Sequence, residues 1–271
     1  MTALSDIIKD GLAYPMANAK NTIITGILFL LSIVLFIFGS YFISNDVHSQ
    51  LVTNPIEDYN NLSQILGQAS PTAYAILIIT AILSFICYLF VQGYFFRIYE
   101  NTVFERKEAV EYDEPKSLLV EGFKLFIVNI SYLIIPSIVI SAGIYYNAVV
   151  LAVGIILVIL AYLTLPIVVS NMIYKKSFKS AYRFGEIRSI IESIGVQKYI
   201  GTILFGYLVC GIILASWSII FLLYTALLVN LPIESIIFIA IPVVISTVLY
   251  AYLFSFTVRI NGSLYIDRKE I

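Results

Sequence analysis

The stretch AVVLAVGIILVILAYLTLPIVVSN, residues 148–171, contains no Asp, Glu, Lys, Arg or His. It is longer than the about 20 apolar residues that carry a helix across roughly 30 Å of hydrocarbon. Inside that layer every backbone N–H and C=O must be satisfied within the segment, which a helix does unaided. Working outward, five further stretches meet the same test: 22–43, 73–96, 122–143, 199–229 and 235–258. Only 122–143 holds a charge, Lys124, near enough to its end to snorkel. The reading predicts an all-α integral membrane bundle of six transmembrane helices, forming one domain over residues 1–271.

Composition agrees. Hydrophobic residues make up 60% and charged residues 12% of the 271, against about 45–50% and about 25% in soluble domains, and the mean hydropathy is +0.95. A formal net charge of −1 leaves no basic surplus for neutralising phosphates, so nucleic acid is not expected as a partner.

Charge placement sets the orientation. Of the 16 Lys and Arg, 15 fall in segments that a six-span path puts on one side of the membrane, and Lys124 lies just inside the span that leaves that side. Lys9 and Lys20 precede the first span; Arg97, Arg106, Lys107 and Lys116 follow the second; Lys175, Lys176, Lys179, Arg183, Arg188 and Lys198 follow the fourth; Arg259, Arg268 and Lys269 follow the sixth. The alternate connections, 44–72, 144–147 and 230–234, have none. By the positive-inside rule the protein is a multi-pass protein of the cell membrane with cytoplasmic N- and C-termini. The first apolar stretch exceeds the 7–15 residues of a signal-peptide core and reads as a retained helix. Cys87 and Cys210 fall within spans and read as small buried side chains.

Between spans, residues 178–194 place Phe178, Ala181, Tyr182, Ile187, Ile190, Ile191 and Ile194 on one helical face and Lys179, Arg183, Glu186, Ser189, Glu192 and Ser193 opposite. Such a helix either lies in the membrane interface with its basic residues on anionic headgroups or packs on the protein itself. Leu4, Ile7, Ile8 and Leu12 form a shorter version, and Pro115 is a good first residue for a third. The 44–72 connection offers Asn54-Pro55 as a helix start, Asn61-Leu62-Ser63 with glycosylation spacing, and an isolated, solvated His48. A shift of 162 residues aligns Ser84 with Ser246, Tyr88 with Tyr250, Arg97 with Arg259 and Ile98 with Ile260, the pattern of a parallel internal repeat or of topology alone.

Chemistry at membrane depth is sparse. Gln92 and Asn129 are the main amides, and ionisable groups are nearly absent. Pro136, Pro166 and Pro242 each remove a backbone donor within a span, making them candidates for kinks or cavity walls alongside the two amides. Gly211, Ala215 and Ser218 form a small-residue stripe expected at a helix contact, within the chain or between subunits. No P-loop, zinc-protease, paired Cys-x-x-Cys or nucleophile-elbow motif occurs. No catalytic residue, cofactor or metal is therefore expected. The acids Glu100, Glu105, Glu108, Glu111, Asp113 and Glu114 read as a solvated connection.

Three motifs carry a resemblance: Gly93-Tyr94-Phe95-Phe96-Arg97; Glu121-Gly122-Phe123-Lys124 leading to Tyr132 and Pro136; and Phe184-Gly185-Glu186-Ile187 running to Tyr199. Over about 92–259 the chain resembles an uncharacterised family of polytopic membrane proteins of archaea and some bacteria, classed as a domain of unknown function. It is distantly similar to the membrane region of certain glycerophosphodiester phosphodiesterases, whose catalytic domain has no counterpart here. The resemblance implies a prokaryotic cell membrane and supplies no catalytic residues.

The expectation is a non-enzymatic protein that organises membrane or interacts with lipids or partner proteins. Its partners would be membrane lipids, a second copy of the chain or other membrane proteins. Lys175, Lys176, Lys179, Arg183, Arg97 and Arg259 are the candidate headgroup contacts. The alternative is a transporter or permeation path for a lipid-like or uncharged solute. A continuous cavity reached from one face and lined by Gln92, Asn129 and proline-adjacent carbonyls would favour it; a solid apolar bundle would count against it.

Overall fold

Long apolar runs free of internal charge propagate as helices until a capping residue or a turn stops them, and a computed structural model shows where each stop falls. It describes residues 3–53, 67, 69–106, 108, 110–228 and 236–268. In chain order the elements are α1 (Leu4–Ala17), α2 (Ala19–Thr53), α3 (Pro71–Val103), α4 (Pro115–Tyr146), α5 (Ala148–Tyr174), a 3-10 turn (Phe178–Tyr182), α6 (Phe184–Ile194), α7 (Val196–Leu228) and α8 (Ile236–Ile266). Six of them, α2, α3, α4, α5, α7 and α8, are long and apolar enough to cross a membrane.

The spanning helices outrun the predicted hydrocarbon segments. Hydropathy stops at the first charge, whereas a backbone stops only at a breaker or cap. Residues 44–53, expected in a connection, continue α2, with His48 exposed on it. Near that end the Asp46 carboxylate accepts from the Ser70 N–H at 2.7 Å, and the Ser70 side chain caps α3. Helix α8 likewise runs past Arg259 to Ile266. Asn54, Pro55 and Asn61 lie outside the described residues. Helices α3 and α4 begin with Pro71 and Pro115 in their first turns, where proline lacks only an N–H that would be unpaired anyway.

Residues 178–194 do not form one helix. The 3-10 turn ends at Arg183, whose φ −88°, ψ 76° is not helical, and α6 starts afresh at Phe184. Its apolar face is buried in the protein: Ala181, Ile187, Ile190 and Ile194 join the main core. For those four, packing on the protein is the placement observed, while Phe178 and Tyr182 of the same stripe stay exposed. Gly195, at φ +96°, makes the turn into α7 that a side chain would strain. Helix α1 lies against α8, burying Ile7 and Ile8 on Phe256 and Ile260.

Packing is concentrated at the end of the bundle that carries the Lys and Arg, called here the basic end. Tyr94, Ile98, Leu118, Ile167, Tyr199, Phe256, Leu264 and Tyr265 are fully buried there. At the far end, Phe36, Ile78, Ile138, Tyr145, Ile219 and Leu223 are exposed, as surfaces that meet lipid are. Helices α3 and α4 cross at Gly93 and Gly122: a methyl at either would strike the other helix's backbone, at the Leu118 or Leu89 carbonyl oxygen. Both glycines belong to the motifs quoted above.

Candidate functional site

Straight helices joined at one end by large buried side chains leave space between them further along, and here that space is a cavity of about 390 Å³. All six spanning helices contribute to its wall. Gln92 of α3 and Asn129 of α4 both line it, and among the described residues neither amide has a hydrogen-bond partner. Pro166 of α5 also lines it. Lacking an N–H, Pro166 cannot bond the carbonyl of Tyr162 one turn earlier, and Tyr162 lies on the same wall. No Asp, Glu, Lys or Arg is among the lining residues.

The structure thus brings together Gln92, Asn129 and Pro166 and leaves Pro136 and Pro242 elsewhere, buried or packed within α4 and α8, which run on through them. Neither lines the cavity: a proline marks which carbonyl loses its donor without saying which way that carbonyl faces.

The sequence reading does not single out Tyr99, Tyr162, Tyr207 or Asn261 for this wall, nor the role of Tyr88 and Tyr250 in it. Tyrosines in mid-span were the available signal: each brings a hydroxyl to a depth where it needs a partner. Asn261 donates to the Tyr99 hydroxyl at 3.3 Å. Toward the basic end, Thr25 on the wall shares a 2.7 Å hydrogen bond with the hydroxyl of Tyr112. The Tyr112 ring stacks on Tyr94 at 5.0 Å, and the Asn21 side chain donates to the Val110 carbonyl at 2.7 Å. The connection after α3 is therefore folded back into the bundle, and burial pushes the Tyr112 phenol well above its usual pKa.

The candidate headgroup cations divide into two groups. Arg97 is enclosed, its Nε donating to Glu121 at 2.8 Å and its Nη1 to Asp113. Arg259 donates to Asp10 at 2.7 Å and to Thr102 at 3.1 Å, with Tyr14 under its guanidinium at 4.8 Å. Burial pushes the Tyr14 phenol up to about 12, with Arg259 pulling the other way. These two arginines fasten connections and α1 to the bundle. Lys175 pairs with Glu186, which Arg183 also approaches at 3.7 Å. Hydrogen bonding from Lys175 holds the Glu186 carboxyl below its usual pKa against the opposing effect of desolvation. Lys176 lies over the Phe104 ring at 6.0 Å, and Lys179 is exposed with no charged partner among the described residues.

A second, open depression at the basic end is lined by Glu100, Glu108, Glu111, Asp113 and Glu121 together with Arg97 and Arg106. Among the described residues no group of acids, histidines or cysteines is arranged to hold a metal ion. The small-residue stripe Gly211, Ala215, Ser218 is exposed, and a methyl at Gly211 would meet nothing within 4 Å. It makes no close contact within the chain.

The quoted motifs prove to be joints. Gly93 meets Gly122, Arg97 meets Glu121, the Tyr132 hydroxyl donates to the Ala181 carbonyl at 2.6 Å, and the Tyr199 hydroxyl donates to the Leu163 carbonyl. Neither the curated proteins nor the solved structures contain a match to this chain. One family model does match, over residues 76–229, which is more than half of the chain and includes Gln92, Asn129, Tyr162, Pro166 and Tyr207. The chain belongs to the family described as protein of unknown function, DUF4013.

Proposed function

We propose that this polytopic membrane protein is a non-enzymatic lipid-interacting protein that holds an uncharged, lipid-like molecule in the cavity between its helices. One observation carries the reading: two side-chain amides without partners face a charge-free, largely apolar cavity. Both amides are half-buried, and a polar group at hydrocarbon depth has no water to pair with, so they favour an occupant that offers them a hydroxyl or carbonyl. The volume, about 390 Å³, falls in the range of roughly 300–1,000 Å³ typical of ligand pockets. A charged occupant would meet no counter-charge and would lose its hydration. In its carrier form the same reading adds passage of the molecule across the bundle, as the permeation alternative requires.

The setting we assign is a prokaryotic cell membrane with both termini cytoplasmic. The sorting of all 16 Lys and Arg to one end supports the orientation. The exposed Lys176 and Lys179 suit the anionic headgroups of a cytoplasmic leaflet.

The test is native mass spectrometry of the purified full chain, wild type beside Gln92→Leu with Asn129→Leu. The expected result is a neutral lipid-sized adduct on wild type, reduced at least tenfold in the double variant, with helix content unchanged by circular dichroism. Equal occupancy in the two proteins, or a wild type that binds no neutral lipid or uncharged solute offered to it, overturns the reading.

A further inference from the structure

The cavity wall is uneven in a way that bears on how it fills. Most of its side chains are buried or half-buried, but four large ones are open to the outside: Tyr162 of α5 at 48%, Tyr207 of α7 at 40%, and Tyr250 and Phe254 of α8 at 42% and 51%. They lie on three neighbouring helices. Tyr162 is near the midpoint of α5, and Tyr250 is a similar distance along α8. Their exposure is therefore at hydrocarbon depth and not at either polar surface.

The helices flanking this opening hardly touch. Helix α7 is held to the bundle mainly through α8, and α5 and α7 share almost no direct packing. Among the described residues one hydrogen bond joins them, from the Tyr199 hydroxyl to the Leu163 carbonyl beside Tyr162. Tyr207 lies eight residues further along α7, about 12 Å at 1.5 Å per residue. With so little packing between α5 and α7, the exposed Tyr162 and Tyr207 flank the gap between them. The basic end is obstructed instead: Tyr112 reaches Thr25 on the wall and is itself stacked on Tyr94.

We propose that the cavity is filled sideways from the bilayer through the gap between α5 and α7, and that its occupant is an uncharged lipid bearing a hydroxyl or ester head, of the diacylglycerol or long-chain alcohol kind. This rests on the reading of the cavity as a holding site. The head lodges between Gln92 and Asn129, whose amides both donate and accept. The chains leave past Tyr162 and Tyr207, whose rings offer apolar area and whose hydroxyls tolerate a polar head in transit. A space of about 390 Å³ corresponds to about a dozen waters at roughly 30 Å³ each. It takes a head and the first part of a chain, with the remainder in the surrounding lipid.

The test reconstitutes the full chain in phosphatidylcholine vesicles containing a diacylglycerol with a photoactivatable diazirine midway along one acyl chain. Irradiation is followed by peptide mass spectrometry, with a water-soluble uncharged aryl azide as the companion probe. The expected result is lipid labelling at Tyr162, Tyr207 and Phe254 at least fivefold above that at the outward-facing Ile219 and Leu223. Unlabelled diacylglycerol competes it away, and Tyr162→Trp with Tyr207→Trp, which narrows the gap, reduces it severalfold. Uniform, unsaturable lipid labelling together with azide labelling of the Gln92 and Asn129 peptides overturns sideways filling and leaves the holding site standing. Labelling of the cavity by neither probe overturns both.

Discussion

Two hairpins occupy corresponding places in the chain, α2 with α3 and α7 with α8, and they pack in opposite ways. In the first, Ser32 and Ser84 each donate to the other's backbone carbonyl, at 3.0 and 2.8 Å, and a methyl at Gly39 would collide with the Thr80 hydroxyl. Small residues let the backbones approach, as they do where membrane helices cannot rely on hydrophobic exclusion from lipid. In the second, the serine at the matching position, Ser246, accepts from the Trp217 indole at 2.8 Å. The second pair is thus joined through a bulky indole and not through two hydroxyls, and Gly211 faces open space. The second hairpin is packed more loosely than the first, and α7 shares almost no packing with α5.

The comparison is broken most forcefully by enlarging small residues. Gly39→Leu is expected to destabilise the protein by about 1–3 kcal/mol through overpacking, read as a lower thermal midpoint in detergent. Gly211→Leu should stay within about 0.5 kcal/mol of wild type. Comparable losses at both sites would mean that the second hairpin is as close as the first. Trimming the serines comes next. Ser84→Ala should cost on the order of 0.6 kcal/mol, with about 1.7 kcal/mol as a ceiling. Ser246→Ala should cost less, since Trp217 is only half-buried. A double-mutant cycle at Ser32 and Ser84 measures the first term directly.

The smallest effect concerns α6, which leads into the looser hairpin. Because Lys175 holds the Glu186 carboxyl below its ordinary value, the pair contributes fully above the usual carboxylate range near about 4.3. It is lost as pH falls through the lowered folded value. Exposure and salt screening keep such a pair small. Thermal midpoints of wild type and Glu186→Gln should therefore differ slightly at neutral pH and converge in acid; a gap that widens in acid would contradict the sign.

The spans were legible because crossing hydrocarbon imposes a length and an absence of charge that few soluble helices satisfy, and all six appear. Their ends were less so: nothing in residues 44–53 or 259–266 breaks a helix, and hydropathy carries no information once the bilayer ends. The two-part form of 178–194 escaped because periodicity places Ala181 and Ile190 on one face whether or not Arg183 interrupts the helix. At the site, Gln92, Asn129 and Pro166 were visible as polar or donor-less positions at depth. The tyrosines were not, since their hydrophobic bulk hides them in a composition already 14% aromatic. A cavity depends on how helices pack, and that rests on contacts such as Trp217 with Ser246 that join distant parts of the chain.

The most direct measurement is an experimental structure of the chain in lipid nanodiscs supplemented with diacylglycerol. The account predicts elongated density starting between Gln92 and Asn129 and leaving the protein between Tyr162 and Tyr207. Helix α7 packed flush against α5, with no density at the two amides, would contradict it.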